Sequence, residues 1–249
     1  MTERMIAALP MYDRAETAGA NDRLWVAIRA ELGHGPEQLT RDRDLWQVWT
    51  DPGLVLAQTC GLPFRAQLAN KVTLVGTPDY GLPGCAPGYY HSTILARADD
   101  PRDLAALAAG TMAVNEGLSQ SGWAAPLAHL AAQRLAPAGC IQTGAHRASA
   151  QAVAEGRADF ASLDSVTWAL IQRHDPWAEA LRVVTTTAPT PGLPLVAATG
   201  ADAQRLRAAV EAAIQALSPE DRDALHLRGV VHIPAADYLA QPIPALPTF

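Results

Sequence analysis

Residues 115–127 read NEGLSQSGWAAPL. A strand-like run, TMAVN (111–115), leads into this stretch, and a helical pattern, WAAPLAHLAAQR (123–134), leads out of it. Between them lie Ser119, Gln120, Ser121 and Gly122, with no basic residue among them. A strand that passes through a short loop into a helix is the repeating step of α/β architecture. The first turn of a helix leaves N–H groups unpaired and carries partial positive charge. Two hydroxyls placed there form a row of uncharged donors, and a glycine permits close approach of a ligand. Such a place holds a phosphate-like group without a lysine. It is also where a serine caps a helix, so cap and cradle both fit these residues.

The alternation continues outward in both directions. Strand-like runs occur at 5–9 (MIAAL, with the strand starting as early as Arg4), 54–58, 71–75, 92–97, 111–115, 139–143, 159–164, 181–186 and 194–199. Helical patterns occupy 21–32, 123–134, 146–155, 164–173 and 202–217. The last places Leu206, Val210, Ala213, Ile214 and Leu217 at helix spacing. Strands alternating with helices of this length predict an α/β fold with mainly parallel sheets flanked by helices. GTPDYGLPGCAPGYY (76–90) reads as a long loop, and long loops in compact α/β chains are usually functional. TTTAPTPGLP (185–194) reads as a second loop, and the proline-rich end, AQPIPALPTF, as an extended surface strap.

Composition bounds the function. The chain has 249 residues, 49% of them hydrophobic and 18% charged, enough for one large domain or two small ones with a real core. A net charge of -6 argues against a general nucleic-acid binder, while a local anion site can oppose the net field. No apolar run approaches bilayer length. The start, MTERMIAALPMYD, is too short and too polar for a secretory signal. The expectation is a cytoplasmic protein if the chain is complete, or an exported one whose signal has been removed. Three cysteines, Cys60, Cys85 and Cys140, show neither CxxC nor zinc spacing, so no metal and no cofactor is expected. Cys60 and Cys85 both follow strand-like runs and fit either one disulfide or, with Cys140, three reduced thiols.

Other candidates sit at strand ends. His146 opens a helix after Gly144, where a ring N–H could reach an anion. Asp164 ends the strand DFASLD, at the edge where open α/β sheets bind ligands, and would otherwise cap the next helix. Tyr12 follows the first strand, and Gln58 with Thr59 the second. Tyr89, Tyr90, His91 and Ser92 add aromatic walls with polar tips, suited to a small polar ligand. A nucleophile reading of Ser119 is weak. GLSQS puts Ser121 where the second glycine of a G-x-S-x-G elbow belongs, and His146 with Asp164 would follow in an unusual order.

The ordered set LPMYD, DPGLVLAQTCG, VGTPDYGLPGC, YYHSTILAR, NEGLSQSG, GAHRASAQAVAEGRADFASLDSVTWAL and PGLP resembles the phosphate, phosphite and phosphonate binding proteins of ABC transporters, from Leu9 to about Pro194. The resemblance implies a two-lobed type II periplasmic-binding-protein fold with two crossing hinge strands. Lobe I would be 1–97 plus 187–249, lobe II 98–186, with the ligand in the cleft between. It implies a monomeric, periplasmic, non-enzymatic protein that captures a small oxyanion and delivers it to a membrane permease. The cradle falls on Ser119, Gln120 and Ser121, beside Gly122. The oxyanion-touching histidine falls on His146, a first-lobe aromatic near Tyr90, and an amine-binding acid near Asp164, with Tyr12 and Thr59 closing from the first lobe. Two positions depart from the family: Gln120 stands where a hydroxyl is common, and Leu193 where an aminophosphonate binder needs a second carboxylate. The alternatives are an enzyme on the same fold acting on a small anion, and a cytoplasmic anion sensor.

Overall fold

A computed structural model of the chain describes residues 5–249. The proposed strand start at Arg4 lies outside the described residues. The chain divides into two compact units: one takes it up to Tyr89 and then Pro191–Ala240, the other Tyr90–Thr190 with Gln241–Phe249.

The first unit is built on a sheet of order β1-β2-β11-β3-β12. Its strands are β1 (Ile6–Ala8), β2 (Leu54–Gln58), β3 (Val72–Asp79), β11 (Leu195–Ala198) and β12 (Gly229–Val231). The strands feed two cores, one on each face, with strict alternation along β1 and β11. Ala7, Leu56, Val75, Leu195 and Ala197 meet α1 (Ala18–Leu32) and α8 (Ala203–Ala216). Ile6, Ala8, Leu54, Ala57 and Val196 meet α2 (Leu45–Trp49), the helix α3 (Gly61–Pro63, continued as a π-turn over Phe64–Leu68) and α10 (Ala235–Leu239). The apolar stripe of α1, Leu24, Ile28 and Leu32, recurs every four residues, as a core-facing helix requires. Gly33 ends it in the left-handed conformation (φ 74°), its N–H bonded to the Arg29 carbonyl.

The second unit carries a sheet of order β7-β6-β8-β5-β9. Its strands are β5 (Ser92–Arg97), β6 (Thr111–Val114), β7 (Gly139–Gln142), β8 (Phe160–Asp164) and β9 (Leu181–Thr186). Leu95, Ala113, Ala161 and Leu163 face α6 (His146–Ala154) and α7 (Ser165–His174). Ile94, Ala96, Met112, Val114 and Phe160 face α4 (Leu104–Ala108) and α5, which begins as a π-turn over Gln120–Ala124 and runs on as Ala125–Ala132. The C-terminal stretch from Gln241 has no helix or strand. The Trp123 indole N–H donates to the Ala245 carbonyl at 2.8 Å, which ties the strap to α5.

The expectation of mainly parallel sheets is met in strand direction and not in pairing. Three of the five strands in the first sheet and four of five in the second run one way. A reversed strand, β11 or β5, is wedged among them in each sheet, so β2, β3, β8 and β9 all have an antiparallel neighbour. Both wedged strands are the first after the chain crosses between units, which sets their direction.

The unit boundaries also move. β5 pairs with β8 from Ser92↔Asp164 to Ala96↔Phe160 and with β9 on its other side. Residues 92–97 therefore belong with the second sheet rather than with the first lobe. Tyr90 and the terminal strap, both expected in the first lobe, fall in the second unit. The crossing segments β4 (Tyr89–Tyr90) and β10 (Thr190–Pro191) form a two-stranded sheet of their own. The expected loop 76–90 starts later, because β3 runs through Gly76 and Pro78 to Asp79 with β12 alongside it. Gly76 serves packing there: a Cβ would stand 3.0 Å from the Val230 side chain.

Candidate functional site

In the second unit three helices start beside one another, α5 after β6, α6 after β7 and α7 directly after β8. All three strands are parallel, so the helix starts share the sheet edge at their C-terminal ends. Three sets of helix-start N–H groups and three positive dipole ends thus lie at one edge.

Ser119 is extended (φ -98°, ψ 127°), and its Oγ accepts from the Gly122 N–H at 2.9 Å. The expected cap is therefore formed. A hydroxyl that accepts as a cap keeps its own proton to donate, so cap and cradle coexist in this residue. Ser121 Oγ lies 2.9 Å from His146 Nε2, joining the start of α5 to the start of α6. Ser162 on β8 donates to the Ser121 carbonyl at 2.8 Å and holds that turn in place. Gln120 is buried, with Nε2 3.4 Å from Thr190 Oγ1. Gly122 has a different immediate reason than ligand approach: a Cβ there would collide with Asn115 Oδ1 and stand 3.0 Å from Ser119 Oγ.

His146 is the first residue of α6, delivered by a left-handed Gly144 (φ 84°), and no side chain caps this helix. Burial pushes the imidazole pKa below its ordinary value, while the Asp164 carboxylate pulls it back up. His146 Nε2 stands 3.7 Å from Asp164 Oδ2, and Nδ1 is buried without a hydrogen-bond partner among the described residues. Asp164 caps α7 by accepting from the Thr167 N–H at 2.8 Å, the role expected if it did not meet a ligand.

The trio Ser121, His146 and Asp164 is not a catalytic triad. In a triad the acid holds one imidazole nitrogen and the nucleophile faces the other. Here the serine and the aspartate both face Nε2. Ser119, the nucleophile of the rival hydrolase reading, bonds through its side chain to a backbone N–H instead.

The structure thus brings Ser119, Gln120, Ser121, Gly122, His146 and Asp164 into one unit and places the first four on one turn. Tyr90 is buried in that same unit. Tyr12 and Thr59 belong to the first unit, after β1 and β2. The Tyr12 ring meets Tyr80 edge-on at 5.1 Å, and Gln58 Nε2 donates to the Tyr80 hydroxyl at 2.9 Å. Thr59 is fully buried, its Oγ1 without a hydrogen-bond partner among the described residues. His91 lends its carbonyl to Ser165 Oγ at 2.8 Å. Sequence reading missed Asn115 and Ser162. Asn115 carried one readable signal, a polar residue closing the run TMAVN. Cys60, Cys85 and Cys140 form no disulfide, so the disulfide alternative is not realised.

A family profile described as "ABC transporter, phosphonate, periplasmic substrate-binding protein" matches residues 56–238. PhnD1 from Prochlorococcus marinus, solved in complex with methylphosphonate, superposes with a TM-score of 0.75 at 12% identity, covering 95% of each chain. A binding protein component of an ABC phosphonate transporter from Pseudomonas aeruginosa gives 0.69 at 15% identity, over 91% of this chain and 80% of that one. XAC2383 from Xanthomonas citri, bound to chloride, gives 0.68 at 18% identity, over 94% and 92%. At these identities the likeness establishes the shared two-unit α/β fold of type II periplasmic binding proteins. No curated protein matches the sequence.

Proposed function

The chain belongs to the family of periplasmic substrate-binding proteins of phosphonate ABC transporters, and from that premise we propose that it captures a small phosphonate-class oxyanion at the helix starts of its second unit. The observation that carries this reading is the 2.9 Å link between Ser121 and His146, which sets two helix starts and a hydroxyl–imidazole pair at one point. A tetrahedral anion there receives backbone N–H groups, the Ser119 hydroxyl and one further donor from the Ser121–His146 pair, whose hydroxyl and neutral imidazole spend one of their two protons on each other. Hydrogen bonds to a charged group are roughly twice as strong as neutral ones, so several uncharged donors replace a lysine. Tyr12, Thr59 and Tyr90 are proposed as further ligand contacts, and the paired crossing segments β4 and β10 as the hinge.

The proposed work is capture and delivery rather than chemistry: the Ser121–His146–Asp164 geometry lacks the acid on the far imidazole nitrogen that nucleophilic catalysis uses. The partner is a membrane permease, the compartment the periplasm, and the working form a monomer. Among the described residues no helix is long and apolar enough to cross a membrane. A panel of methylphosphonate, phosphite, phosphate and acetate, each titrated at large excess in a thermal-shift assay, tests the reading. A true ligand stabilises by about 3–4 kcal/mol at 100 to 1,000 times its Kd, a clear rise in Tm. Equal Tm values across the whole panel would remove the proposal.

A further inference from the structure

The first unit has a cleft of about 360 Å³ at the end of α9 (Pro219–Ala224), and none of its lining residues is one assigned to the oxyanion site. Its walls are Tyr80, Arg222, Asp223, His226, Leu227 and Arg228. Several arginines elsewhere are tied down: Arg23 to Asp221, Arg41 to Asp13, Arg102 to Asp100 and Asp159, Arg147 to Asp175. The side chains of Arg222 and Arg228 have no hydrogen-bond or ion-pair partner among the described residues. Two uncommitted guanidinium groups on one cleft are out of keeping with a chain of net charge -6.

The backbone is specialised to bring them together. His226 adopts a left-handed conformation (φ 51°), uncommon for a residue with a side chain. That turn lets the Leu227 N–H reach the Arg222 carbonyl at 2.9 Å and the Arg228 N–H reach the Asp79 carbonyl at 2.8 Å. Arg222 is thereby fixed at the helix end and Arg228 at the start of β12. Gly81 (φ 58°) lies beneath the Arg228 side chain, and a Cβ at this position would collide with the guanidinium group. The arginine side chain therefore lies along a surface shaped for it.

We propose that this cleft is a second anion site, taking a small polyanion of the polycarboxylate class. Each guanidinium group matches a carboxylate bidentately. Tyr80, Asp223, His226 and Leu227 complete the lining around the two arginines. The volume lies in the range of small-molecule pockets, roughly 300–1,000 Å³. The site stands whether or not the cradle binds an oxyanion.

Calorimetric titration with citrate tests it, with acetate as the singly charged comparison. Citrate should saturate the wild-type chain while acetate does not. Arg222→Ala/Arg228→Ala should weaken citrate at least 10-fold, Arg222→Lys/Arg228→Lys should weaken it less, and Ser119→Ala/Ser121→Ala should leave it unchanged. Three results would each overturn the proposal: no citrate binding by the wild type, equal citrate affinity in the wild type and the double-alanine variant, or a loss confined to the serine variant. The last would assign citrate to the cradle.

Discussion

Ser121→Ala separates a structural serine from a ligand-binding one. Ser121 is 2% exposed. The substitution removes its 2.9 Å bond to His146 Nε2 and leaves the bond from Ser162 to its carbonyl untouched. The net contribution of a hydrogen bond of this kind to stability is about 1 kcal/mol. For a chain of this size that lowers Tm by roughly 2–4 °C. Binding should suffer more. A donor to a charged oxygen contributes about 1.5–3 kcal/mol, which is roughly a 10- to 100-fold loss in affinity. The substitution also leaves His146 Nε2 without its serine, with the Asp164 carboxylate 3.7 Å away. The measurements are calorimetric Kd for methylphosphonate, or for whichever anion the panel selects, and Tm by scanning calorimetry. A serine that only braces α6 would lose the few degrees and keep its affinity. A variant that binds within about twofold of wild type (about 0.4 kcal/mol) refutes the cradle.

Three further outcomes follow from the same geometry. Gly122→Ala forces a Cβ into Asn115 Oδ1, and overpacking of this kind costs about 1–3 kcal/mol, read from the urea midpoint; unchanged stability would show that Asn115 swings aside freely. The lowered His146 pKa makes stability pH-dependent. The unfolded chain, with an imidazole pKa of about 6.5, takes up the proton first as pH falls, so the contribution is full above that value and is lost as pH drops through it. His91, also lowered by burial, adds to the same slope, so the readout is the difference in Tm between about pH 7.5 and 5.5 for wild type and His146→Gln, which should show the smaller drop. Trp123→Phe removes the indole donor to Ala245 and should cost about 1 kcal/mol while exposing the 241–249 strap to faster proteolysis; an unchanged cleavage rate would show that the strap is held by other contacts.

Much of the fold was legible because its strands are bounded runs. The expected strands 54–58, 92–97 and 181–186 match β2, β5 and β9 residue for residue. Short elements escaped for a shared reason: five or six residues hold too few turns to show a period. Yet α2, α4 and α9 each carry a side-chain cap, Asp44, Asp103 and Ser218, and Ser218 is followed by Pro219 at the first helical position. Those caps were readable signals. The crossing points were not, since nothing inside STILAR says which sheet it joins. That is decided by partners about 70 and 90 residues downstream, in β8 and β9.

The site was half legible for a related reason. Helix starts announce themselves locally, so Ser119, His146 and Asp164 could be read from the residues that follow each. Asn115 and Ser162 act across space, one against Gly122 and the other on the Ser121 carbonyl. Their burial still demands an account. In the second unit Asn115, Ser119, Gln120, Ser121, Ser162, Asp164 and Ser165 are all buried, and all lie at or beside the edge where α5 and α7 begin. Burying polar groups costs free energy unless each finds a partner; caps and a turn satisfy Ser119, Ser162 and Asp164, but Asn115 Oδ1 is buried without a hydrogen-bond partner among the described residues. A packed edge made of hydroxyls, amides and one carboxylate is therefore a poor solution for stability alone. It becomes a good one if a polar ligand completes the network, because preordered partners spend little further entropy in binding it.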